Sequence, residues 1–109
     1  MALLKGTLDV VVLKTLSWGP MHGFEIISWI EERSGGYLEV SDAALLQALH
    51  RMEARDLIRA EWGESRNGRK ARYYQLTVAG RKHLRAESAA LVDHVRALTT
   101  LLGARSLAG

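Results

Sequence analysis

Arg66, Arg69, Lys70 and Arg72 fall within the ten residues SRNGRKARYY, 65–74, and no acidic residue interrupts them. Long cations gathered around an Asn-Gly pair suit one chemistry well, the holding of phosphate oxygens. A guanidinium offers a rigid fork of donors to a phosphate, and an ammonium offers a point charge. The cluster belongs to a wider asymmetry. From Arg59 to Arg85 eight basic residues face only Glu61 and Glu64, while the whole chain carries +3. Charge set apart in this way suggests a polyanionic partner, although a solvated loop would show the same composition.

Other chemistries fit less well. GESRNGRK, 63–70, has the glycine separation of a nucleotide-phosphate loop. However, Arg69 stands where that loop needs lysine, Lys70 stands where a hydroxyl should hold magnesium, and a strand follows where a helix should. His50 and Glu53 lie i, i+3 and are not joined by a second pair at a metal spacing. His83 and His94 read as solvated or interface residues. No nucleophile, base and orienter stand together. The chain therefore reads as a non-enzyme with no metal and no cofactor. Trp18, Trp29 and Trp62 read as core or core-edge residues.

The elements that must position the cluster follow from periodicity. Leu4, Leu8, Val11, Val12 and Leu16 have helical spacing, and SWGP, 17–20, breaks it. Phe24, Ile27 and Ile30 mark a second helix over 22–33, ended by Ser34-Gly35-Gly36. Ser41 is a good N-cap for a third helix to about Arg55, with Leu45, Ala48, Leu49 and Met52 inward. The period then changes. Ile58, Ala60 and Trp62 alternate with charged residues as in a strand, and Asn67-Gly68 signals a hairpin because both residues tolerate positive φ. Ala71–Leu76 returns as the second strand, with Tyr74 and Leu76 on one face and Tyr73 and Gln75 on the other. Thr77 caps a last helix in which Leu84, Leu91 and Leu98, and between them Ser88, Val95 and Leu102, repeat every seven residues. Residues 104–109 read as a tail.

Helix, helix, helix, hairpin and long helix in one 109-residue chain imply a mainly α fold with a small β-hairpin: a winged helix-turn-helix over 1–76 and a dimerisation helix over 77–109. In the third helix Ser41 opens the N-terminus. Ala43, Ala44, Gln47, His50 and Arg51 lie on or beside the outward side, where Gln47 matches adenine and Arg51 matches guanine or a phosphate. Arg66, Asn67, Arg69, Lys70, Arg72 and Tyr73 form the wing, whose cations supply affinity rather than base preference. The last helix carries Leu84, Leu91, Val95, Leu98 and Leu102 as a seam that a second copy would cover. The chain has no cysteine and no apolar run approaching the ~20 residues of a membrane span, so a cytoplasmic protein is expected.

The runs LLKGTLDVVVLKTLSWGPMHGFEIISWIEERSGG, ALLQALHRMEARDLI and AEWGESRNGRKARYYQLTVAGR resemble the PadR-like transcriptional regulators over about residues 3–87. The short form resembles the smaller subfamily with a single C-terminal helix. The resemblance implies a homodimeric DNA-binding protein, usually a repressor, with its recognition helix at 41–55 and its wing at 63–72. It implies release from double-stranded DNA by a small aromatic or drug-like effector, which in the small subfamily can lie between last-helix aromatics at the dimer interface. This chain departs twice. Leu46 stands where the family has a recognition-helix tyrosine, and the last helix has no aromatic residue. The effector-site candidates are therefore Leu91, Val95 and Leu98 with Trp18. A reading from another class is a ligand-sensing or protein-interaction module without tight DNA binding. Such a module would have no need of the Arg66–Arg72 cluster.

Overall fold

The computed structural model describes residues 6–103; Leu4 and the 104–109 tail lie outside them. The order is α1 (Thr7–Leu16), β1 (Met21–His22), α2 (Gly23–Arg33), α3 (Asp42–Ala54), β2 (Ile58–Glu64), β3 (Lys70–Leu76) and α4 (Val78–Leu98). A π-helical turn, Thr99–Gly103, continues α4. This is the expected winged helix-turn-helix with a long last helix.

The fold is built around α1, which touches α2, α3, β3 and α4. A helix covered from so many sides buries more than one stripe. Val12, Leu13, Thr15 and Leu16 are all buried, whereas the sequence pattern marks neither Leu13 nor Thr15. Thr15 is accommodated because its hydroxyl donates to the Val11 carbonyl at 2.8 Å. In α3 the inward stripe is as expected, with Leu45, Ala48, Leu49 and Met52 buried. In α2 it is displaced. Ile26 and Ile30 face the core, while Phe24 is 77% exposed. Phe24 and Ile30 lie about 120° apart around a helix of 3.6 residues per turn, so one face cannot bury both.

The sheet has three strands in the order β1-β3-β2, so the hairpin gains a short third member. Met21 pairs with Tyr74 and His22 with Tyr73. A two-residue strand shows no period, so the sequence pattern misses it. His22 also caps α2: its Nδ1 accepts from the Glu25 N–H at 3.3 Å, and its own N–H donates to Glu25 Oε1 at 3.1 Å. This reciprocal arrangement satisfies two helix-end donors without a serine or threonine. The hairpin turns at the expected place and uses positive φ at one residue. The Gly68 N–H donates to the Ser65 carbonyl at 2.9 Å and the Ser65 N–H donates to the Arg69 carbonyl at 2.8 Å. Only Gly68 takes positive φ, at 74°, and Asn67 does not. A three-residue loop of this kind needs a left-handed residue only at its last position.

The wing, the recognition helix and α4 meet at one joint. The Thr77 N–H donates to the Leu57 carbonyl at 3.1 Å, and the Leu57 N–H donates to the Met52 carbonyl at 2.9 Å. The Thr77 hydroxyl donates to the Asp56 carbonyl at 2.7 Å and accepts from the Gly80 N–H at 2.9 Å. Asp56 itself turns the chain with φ 60°. At Gly80 the backbone passes so close that any Cβ would overlap the Leu57 carbonyl oxygen.

Beyond this joint α4 leaves the body. Gly80 and Leu84 are its buried residues. Leu84, expected in the self-association seam, is 9% exposed and belongs to the protomer's own core. The radius of gyration is 16.0 Å, against about 13 Å for a compact chain of this length. The difference reflects the projecting helix.

Gly80→Ala forces a methyl into the Leu57 carbonyl and should destabilise the fold by about 3 kcal/mol. Thermal melting reads this directly, and an unshifted midpoint would refute the close approach. Thr77→Ala removes the cap and should cost about 1–2 kcal/mol in the same assay.

Candidate DNA interface

The third helix starts where Ser41 Oγ accepts from the Ala44 N–H at 3.1 Å. Asp42 in the first turn suits the positive end of the helix. With Leu45, Ala48, Leu49 and Met52 spent on the core, Ala43, Leu46, Gln47, His50 and Arg51 face outward, and Ala44 is half-buried. The small residues at the start, Ala43 and Ala44, leave this end of the helix surface without bulky side chains. Gln47 offers an amide able to pair with adenine. Leu46, 49% exposed, puts an aliphatic side chain on this surface.

The cations divide into two groups. Arg66, Arg69 and Lys70 are exposed at the wing tip with Asn67, and no carboxylate of the described residues pairs with them. Arg51 and Arg72 are engaged within the protomer. The Arg51 guanidinium donates to Asp9 Oδ1 on α1 at 2.7 Å, and the Arg72 guanidinium donates to Glu53 Oε2 on α3 at 2.9 Å. Arg72 also lies 6.0 Å from the Tyr74 ring centroid. Burial pushes the Tyr74 hydroxyl above its ordinary pKa; Arg72 pulls it down and Glu53 adds to the rise. Of the sequence cluster of four, three are therefore free of internal ion pairs, and Arg72 ties the wing to α3.

Tyr73, on the face opposite Tyr74, donates its hydroxyl to the Glu64 carbonyl at 2.9 Å across the hairpin. Its ring meets His22 edge-on at 5.3 Å. It stiffens the wing from behind. Glu53, weighed with His50 as a metal pair, is the partner of Arg72, and no metal-binding cluster occurs among the described residues. Sequence reasoning missed Asp9, Glu53 and His22 because each acts through a neighbour distant in sequence or through an unusual cap.

On α4, Leu91 is half-buried, while Val95 and Leu98 are 51% and 40% exposed. Leu102 lies in the π turn, where the wider turn carries it away from the seven-residue line. Trp18 stands 63% exposed past the end of α1, with Lys14 Nζ 5.9 Å from its ring centroid.

A recognition helix, an adjoining cationic wing and an N-terminal helical core match a known pattern. The model of the transcriptional regulator PadR-like family fits residues 12–86. The chain belongs to the PadR-like family. It is a DNA-binding transcriptional regulator, and the family consists of regulators rather than enzymes. Among solved structures, a transcriptional regulator from Clostridium thermocellum superposes with a TM-score of 0.80 at 21% identity, covering 90% of this chain and 92% of that one. A PadR-like transcriptional regulator from Bacillus cereus gives 0.77 at 25% identity, covering 91% and 94%. Bacillus subtilis PadR, solved in complex with operator DNA, gives 0.66 at 20% identity over 73% of this chain and 45% of that one. At 20% identity this last likeness concerns the fold.

The division of cations has a measurable consequence. Removing a cation that neutralises one phosphate reduces the slope of log affinity against log salt by about one. Arg69→Ala should lower that slope in titrations of a duplex over several salt concentrations. The paired change Asp9→Asn with Arg51→Gln, which removes an internal ion pair without net charge, should leave the slope unaltered. An equal drop for both would show Arg51 on phosphate.

Proposed function

We propose that the protein is a homodimeric transcriptional repressor that binds a partly palindromic operator and is released by a small-molecule effector. On this reading each protomer lays α3 in a major groove, and the two helices lie about 34 Å apart, one helical turn of the duplex. Gln47, with Ala43, Ala44 and His50 around it, supplies base preference, and Ser41 sits at the helix entry. Arg66, Arg69 and Lys70, with Asn67 at the tip, hold phosphates and supply affinity. Arg51 and Arg72 act by holding α3 against α1 and the wing. The observation that carries this reading is the free cationic group at the tip of a wing whose strand β3 is joined to α3 by Arg72 and Glu53.

The dimer rests on the projecting part of α4. Leu91, Val95 and Leu98 fall on one side of the helix, and the protomer leaves Val95 and Leu98 substantially exposed. Apolar surface of this kind is ordinarily covered by association. An antiparallel or crossed pairing of two such helices would cover it, with Leu91, Val95, Leu98 and Trp18 walling the place where an apolar effector would enter. None of the described helices is long and apolar enough to cross a membrane, and a repressor of this type would work in the cytoplasm beside its operator.

Val95→Asp should convert the dimer to monomer in sedimentation and weaken operator binding by at least about a hundredfold, because bivalent engagement is abolished. Because Val95 is exposed in the protomer, thermal stability of the monomer should be little changed. Selection of genomic fragments by the purified protein should recover half-sites one helical turn apart. Recovery without sequence enrichment would sink the operator reading.

A further inference from the structure

Trp62 is the largest side chain that the architecture above leaves unexplained. The register pairs Ile58 with Leu76, Ala60 with Tyr74 and Trp62 with Arg72. These residues share one face of the hairpin, since side chains alternate along a strand. At its base that face is core: Ile58 is 1%, Tyr74 5% and Leu76 7% exposed. Two residues further along β2 it leaves the helical body, and Trp62 is 70% exposed. The opposite face cannot take the indole, because the Tyr73 ring lies over Gly63 there, about 3.0 Å from where a Cβ would stand. Trp18 has Lys14 near its ring and Trp29 has Arg33. No such cation lies over Trp62 among the described residues.

Its surroundings indicate what meets it. Arg72, the cross-strand neighbour, reaches Glu53 on α3, so this side of the wing is turned toward the recognition helix. The next pair toward the tip is Glu64 with Lys70, and Trp62, Gly63, Glu64 and Lys70 line an open hollow of about 720 Å³. Arg66 and Arg69 follow at the tip. An exposed indole between a recognition helix and a free cationic group stands where a duplex held by both would pass.

We propose that Trp62 is a DNA-contacting residue of the wing, laying its ring against a deoxyribose or into the minor-groove edge while the tip cations hold the flanking phosphates. Apolar side chains enter minor grooves in this manner, and arginine and lysine favour the same groove. The contact is apolar and releases no counterion, so it adds affinity without adding to the salt slope. The proposal rests on the wing placement proposed above.

The probe is a duplex of about 30 base pairs recovered by selection with the wild-type protein, bound to the full chain at several salt concentrations. Trp62→Ala should weaken binding roughly tenfold with the salt slope unchanged, while Trp62→Phe should retain most of the affinity. In a Trp18→Phe, Trp29→Phe protein, Trp62 is the sole indole, and its emission should shift when the duplex is added. Full affinity in Trp62→Ala, or emission that the duplex does not move, would overturn the proposal. A changed sedimentation profile with unchanged DNA affinity would overturn it too, by assigning the residue to a protein contact. Should Trp62→Ala fail to fold, the emission measurement decides. Arg69→Ala separates the two readings: if it lowers the salt slope while Trp62 is silent, only the Trp62 contact is wrong, and if it too has no effect, the wing placement fails.

Discussion

The contact between the Leu57 carbonyl and the start of α4 is the constraint on which the other elements depend. Leu57 receives Thr77 on one side and reaches back to Met52 on the other. It thereby ties the end of α3, the first strand of the wing and the root of the last helix to the backbone of one residue. Glycine at 80 is required because only a residue without Cβ lets α4 pass that carbonyl. Thr77 closes the remaining polar groups, accepting from Gly80 and donating to Asp56. A joint closed by several hydrogen bonds at once holds its parts at one angle. On the dimeric reading proposed above, the angle between α3 and α4 would set how two copies of α3 are presented.

Charge is arranged in two tiers. Ion pairs between exposed side chains contribute little to stability, about 0–1 kcal/mol each. Their value here is positional. Asp9 with Arg51 spans α1 and α3, and Glu53 with Arg72 spans α3 and β3, so the recognition helix is pinned on both flanks. The cations beyond these pairs, at the hairpin tip, remain available to a polyanion.

The projecting half of α4 carries apolar side chains that its own domain cannot cover. Leu84 marks the boundary: below it the helix belongs to the protomer's core, above it Val92, Val95 and Leu98 are exposed. The heptad pattern runs through this boundary without a break, because the same repeat serves an intramolecular contact at its base and a free surface further out.

Much of the fold was legible in the sequence. Helical spacing of Leu45, Ala48, Leu49 and Met52, alternation around Ile58 and Tyr74, and the caps at Ser41 and Thr77 are local properties, set by backbone geometry and by groups a few residues apart. The cationic tip was legible for the same reason. What the sequence could not show was which partner each side chain would choose. Arg51 and Arg72 look the same as Arg66 and Arg69 in composition, and only the packing of α1 and β3 against α3 brings Asp9 and Glu53 to them. Phe24 and Trp62 read as core by type, yet the core ends before it reaches them. The type and order of the helices and of the hairpin, and the overall charge placement, were thus determined by the sequence alone, because they depend on short-range periodicity. The division between cations paired across α3 and cations left unpaired at the wing tip was decided by tertiary structure, because it depends on distances between residues as many as 42 apart in the chain.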